Sequence, residues 1–93
     1  MSKNLEITVV RNEENRLDLK VKGEDHALLN VLVEKLNEDP KVVFAAYKRD
    51  HPLADSYSLT VITNEGKSPL DALKEALEKV RNIFEELVEQ VPK

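Results

Sequence analysis

The chain has 93 residues, 41% of them hydrophobic and only 4% aromatic, which suits a single domain spanning residues 1–93 with a small core of Leu and Val. Its formal charge of −4, with Lys and Arg scattered, argues against gripping a phosphate backbone unaided. The absence of cysteine excludes disulfides, thiol nucleophiles and Cys-ligated metals.

No apolar run approaches membrane-spanning length, and Met1-Ser2-Lys3-Asn4 does not read as a signal peptide, so a soluble cytoplasmic chain is expected. Abundant Glu and Lys, absent Cys and few Gly would suit a thermophile.

Residues 5–10 read as a strand with Leu5, Ile7 and Val9 on one face and Glu6 and Thr8 on the other. A polar turn over 12–15 leads into residues 16–22, where Leu17, Leu19 and Val21 alternate with Asp18 and Lys20. The two runs predict an antiparallel hairpin with one wet face. Gly23 ends the second strand. Asp25 predicts the N-cap of a helix over 26–37, with Glu24 suited to the helix dipole. Leu28, Leu29, Leu32, Val33 and Leu36 form a broad apolar face, widened by Ala27 and Val31. That is more of the circumference than a one-sided surface helix needs, so the helix is expected to face its own sheet and a second surface. Pro40 prevents continuation. Residues 42–49, rich in Val, Phe and Tyr, predict a third strand, followed by a loop in which Pro52 holds His51 extended. Residues 56–63 predict a fourth, with Tyr57, Leu59 and Val61 alternating against Ser58, Thr60 and Ile62.

The last element is a helix over 69–91. Ser68 can cap it, Pro69 fits its first position, and Asp71 lies near the positive end of its dipole. Leu70, Leu73, Leu77, Val80, Phe84, Leu87 and Val91 recur at steps of three and four, a heptad seam sustained for about three repeats. Such a helix spans roughly 34 Å, whereas strands of about six residues offer a face only ~20 Å long. The last two turns should therefore overhang the sheet. Residues 70–80 of the seam read as core, and Phe84, Leu87, Val88 and Val91 as a surface for a second chain. The order ββαββα predicts an α+β two-layer sandwich, a four-stranded antiparallel sheet with two helices on one face.

Catalytic chemistry finds no support. His26 and His51 are the only histidines, and a catalytic or metal role would need them to converge with a carboxylate. His26 beside Asp25 reads as structural, and His51 as a packing or contact residue. Glu24 with Asp25 reads as a cap rather than a carboxylate pair, and two glycines cannot make a phosphate cradle.

Three stretches carry a family resemblance. Gly23-Glu24-Asp25-His26-Ala27-Leu28-Leu29-Asn30 resembles the Gly-Glu-Asp-His-Thr-Leu-Gly-Asn signature of the small alpha-like subunits of RNA polymerase. Phe44-Ala45-Ala46-Tyr47 followed by His51-Pro52-Leu53 resembles their second signature, and Ser68-Pro69-Leu70-Asp71-Ala72-Leu73 the start of their final helix. Ala27 and Leu29 stand where that family usually has Thr and Gly, and Leu29 makes the first helix bulkier. The chain is identified as similar to this family, which comprises archaeal subunit L and the eleventh subunit of eukaryotic RNA polymerase II.

The resemblance implies a ββαββα dimerisation fold and a non-catalytic assembly role without cofactor. It implies heterodimerisation with D, the larger alpha-like protein of the archaeal RNA polymerase. That pair would form the platform for the catalytic subunits, with subunits N and P nearby and no direct nucleic acid contact. Larger relatives carry a domain inserted after the first helix, for which residues 37–41 leave no room. Both helices contribute to the family's interface, so Leu28, Leu29, Leu32, Val33, Leu36, Leu73, Leu77, Val80, Phe84, Leu87, Val88 and Val91 are the expected partner surface. Two alternatives stay open. One is an enzyme on a similar scaffold, such as a pterin dehydratase, which would need clustered histidines. The other is a free-standing homodimeric interaction module.

Overall fold

A computed structural model describes residues 6–23, 26–51 and 55–91, without the side chain of His26. The expected cap residues Glu24 and Asp25, together with Pro52 and Leu53 of the loop, lie outside the described residues. Six elements follow in the predicted order: β1 (Glu6–Asn12), β2 (Arg16–Lys22), α1 (His26–Asn37), β3 (Val42–Arg49), β4 (Ser56–Thr63) and α2 (Pro69–Gln90). The strands form one antiparallel sheet in the order β1-β2-β4-β3.

Register follows from the alternation of side chains. Leu17, Leu19 and Val21 on β2 oppose Val61, Leu59 and Tyr57 on β4, and all six are buried beneath the helices. The central β2–β4 ladder runs without a break. Each outer ladder carries an irregularity, between Val9 and Arg11 on β1 and between Val42 and Phe44 on β3. Val10 and Val43 are the skipped residues, and both side chains are exposed.

The sheet's other face is held by hydroxyl and carboxylate pairs. Asp50 accepts hydrogen bonds from Ser58 Oγ, from Ser56 Oγ at 2.8 Å and from Lys20 Nζ at 2.9 Å. Those three donors push its carboxyl down to about 2, Ser58 contributing most. Asp18 accepts from Thr60 Oγ1 and Arg16 Nε. Burial would raise its carboxyl, but those bonds and the two nearby arginines hold it below the usual value.

The helices lie side by side on one face, α1 over β3 and α2 over β4 and β2. Leu29, Leu32 and Leu36 of α1 enter the core, with Leu36 at 1% exposure. At the start of α2, Ser68 Oγ accepts from the backbone N–H of Leu70 and of Asp71, and Asp71 sits in the first turn, as predicted. Gly66 adopts a φ of 93° in the turn before α2, a conformation that disfavours a side chain. Beside that turn, Lys67 Nζ donates to Asp39 Oδ2 at 2.9 Å and to Glu75 Oε1 at 2.6 Å. It thereby ties the segment after α1 to the start of α2.

The seam of α2 differs from expectation. The buried residues are Pro69, Ala72, Leu73, Ala76 and Val80, whereas Leu70 and Leu77, read as core from the heptad, are more than 40% exposed. At about 100° per residue the seam has two lines ~60° apart; Leu73 and Val80 lie within the buried arc, and Leu70 and Leu77 lie on its flank. Ala72 and Ala76 take the inward positions, where small side chains let α2 lie close to the sheet and α1.

Candidate partner interface

All residues of α2 from position 81 onward are exposed, and so is Val91 beyond it. The radius of gyration is 14.1 Å, against about 12 Å for a compact domain of this length, and the longest extent is 46 Å. The end of α2 therefore projects past the sheet. It carries Ile83, Phe84, Leu87, Val88 and Val91 into solvent, Val88 at 70% exposure.

Two hollows on the helix side join into one surface. An open groove of about 570 Å³ is lined by Leu28, Leu77, Val80 and Phe84, with Val88 at its outer end and Arg81, Glu85 and Glu89 along its rim. A smaller hollow of about 110 Å³ lies between α1, α2 and the sheet, where Ile7, Leu19 and Val21 meet Leu28 and Leu77. Leu28 and Leu77 belong to both. The apolar surface thus runs from β1 across the helix pair to the end of α2. Its floor on β1 is open because no helix covers that strand: every residue of β1 is exposed, including Ile7 and Val9 on the helix-facing side.

Of the residues expected at a partner surface, Leu29, Leu32, Leu36, Leu73 and Val80 are covered by the chain itself. The face of α1 is broad because it serves both β3 and α2. Leu28 and Val33 keep partial exposure, Leu77 keeps nearly half of its own, and Phe84, Leu87, Val88 and Val91 keep more than half of theirs. Ile7, Val9 and Ile83 join this exposed set although the heptad did not point to them. The alternation of β1 carried the signal for Ile7 and Val9, and which strand lacks a helix above it depends on sheet order.

Gly23 closes β2 with a φ of 92°, its N–H donating to the Asp55 carbonyl at 3.2 Å. Asn30 and His51 are exposed. Among the described residues no three His, Cys, Asp or Glu side chains gather where they could hold a metal ion, and no helix is long and apolar enough to cross a membrane.

Comparison with known proteins gives a consistent result. Residues 16–90 match the model of the RNA polymerase Rpb3/Rpb11 dimerisation domain. The DNA-directed RNA polymerase subunit Rpo11 of Saccharolobus solfataricus is 33% identical over 87 residues, covering 94% of this chain and 95% of its own. That of Sulfurisphaera tokodaii is 38% identical, covering 94% of each. The crystal structure of DNA-directed RNA polymerase subunit L from Thermoplasma acidophilum superimposes with a TM-score of 0.82 at 29% identity, covering 94% of this chain and 85% of that one.

Proposed function

The chain belongs to the RNA polymerase Rpb3/Rpb11 dimerisation-domain family, as a small subunit of the Rpo11 or subunit L type, and from this we propose that it is an assembly subunit that pairs with D, the larger alpha-like protein of the same polymerase. The pair forms the platform on which the catalytic subunits of archaeal RNA polymerase gather, with subunits N and P nearby, in the cytoplasm. The chain contributes no catalytic group and acts as one dimerisation domain.

The observation that carries this reading is the continuous apolar surface from Ile7 to Val88. A chain whose own core is complete at Val80 has no internal use for a further apolar stripe on α2. Large exposed apolar patches of this kind mark interaction surfaces. Leu28, Val33, Leu77, Phe84, Leu87, Val88 and Val91 make the contact in this reading, with Leu29, Leu32, Leu36, Leu73 and Val80 supporting them from behind.

Co-expression with the cognate D protein, followed by size exclusion with light scattering, tests it. The expected product is a one-to-one complex that replaces the free chain. Phe84→Glu is expected to abolish pairing while the sheet stays folded, because Phe84 is 51% exposed in the single chain and a partner would have to bury the new charge unpaired. A chain that ignores D, or a Phe84→Glu variant that still co-purifies with it, would overturn the reading.

A further inference from the structure

The exposed end of α2 is acidic as well as apolar. Arg81 is the last cation among its described residues, and Glu85, Glu86 and Glu89 follow. The last turn holds no basic residue. Carboxylates there face the negative end of the helix dipole, where Lys or Arg would be favourable. Arg81 is shared between Glu78 and Glu85 at 3.8 Å each, an exposed and weak arrangement. Glu86 and Glu89 make no ion pair among the described residues. Glu85 and Glu89 line the rim of the apolar groove itself. A local rule of helix stability is thus broken along the edge of the unpartnered surface, where a functional requirement can outweigh it.

We infer that the end of α2 is built for a chain whose apolar seam is edged with Lys and Arg, and that it selects this non-identical partner over a second copy of itself. The inference rests on the pairing reading above and adds its recognition chemistry. Opposite charges at the rim of an apolar contact steer encounter and suppress wrong partners. In a two-fold pair of identical chains the contacts are reciprocal, so both acidic ends enter the same interface. A second copy, with 18 acidic residues against 14 basic ones, adds negative charge on balance rather than removing it. A basic-edged partner relieves both the mutual repulsion and the conflict with the helix dipole.

The test uses the full chain and the cognate D protein, with affinity and self-association followed by sedimentation at several salt concentrations. Wild-type pairing is expected to weaken as salt rises from about 0.1 M, because rim charges are screened. The double variant Glu85→Lys/Glu89→Lys is expected to bind D about tenfold more weakly at low salt and to self-associate more, with its far-ultraviolet spectrum and urea midpoint close to those of wild type. Glu85→Gln/Glu89→Gln should fall between. A folded chain of unchanged stability that pairs less well separates partner recognition from a folding role. A doubly reversed chain that binds D as tightly as wild type, or pairing that is indifferent to salt, would overturn the inference and leave the pairing reading standing. A wild-type chain that fails to bind D at any salt would overturn both.

Discussion

At the scale of single residues, polar groups that join distant segments matter more than surface ion pairs. Asp50 is pushed from the ordinary 3.8 down to about 2 by Ser58, Lys20 and Ser56, so its bonds favour the folded state while it is ionised. A depressed carboxyl contributes stability that is complete above its unfolded value and is lost as pH falls through its folded one. Melting temperatures of Asp50→Asn are therefore expected to depend less steeply on pH between about 4 and 2 than those of wild type. An unchanged acid limb would remove Asp50 from that role. Lys67 joins Asp39 and Glu75, which raise its amine above the ordinary 10.5, Glu75 most. Lys67→Met should lower the melting temperature at pH 7 more than Lys35→Met, whose pair with Glu38 spans only three residues. Equal effects would show that the tie between the segment after α1 and the start of α2 adds nothing.

At the scale of elements, the strands and the cap of α2 were legible and the faces of the long helix were not. Alternation of Leu17, Leu19 and Val21, and of Tyr57, Leu59 and Val61, placed β2 and β4 with their inward faces correct, because both are central strands covered by helices. The start of α2 was legible because Ser68-Pro69 is a local signal, and Ser68→Ala is expected to cost about 1 kcal/mol in urea unfolding. The line of burial on α2 was hidden because Ala carries no hydrophobic emphasis in a heptad. Ala72 and Ala76 lie inside because the helix lies close, a fact of packing rather than of pattern. Ala76→Leu should therefore destabilise the chain by roughly 1–3 kcal/mol, although it strengthens the apolar pattern. A neutral outcome would mean that α2 stands farther from the sheet. For the candidate interface, the overhang followed from helix length alone. The share of β1 did not, because strand order is a property of the folded sheet.

At the scale of the whole molecule, folding and the proposed pairing fall to separable parts. The core closes at Val80, and from position 81 onward the chain adds length without burial. A chain truncated after Asn82 is expected to keep its far-ultraviolet spectrum and urea midpoint to within a small margin while losing all pairing with D. Collapse of the sheet in that truncation would show that the end of α2 supports its own fold. The two irregular ladders bear on a different hazard. The strands with an open flank, β1 and β3, are the two whose ladders skip a residue, and the inner ladder is regular. A kinked border is a poor template for adding further strands. On each outer strand the skipped residue breaks the regular run of backbone donors and acceptors, leaving residues 6–9 and 44–49 as the straight stretches on which a further strand could add.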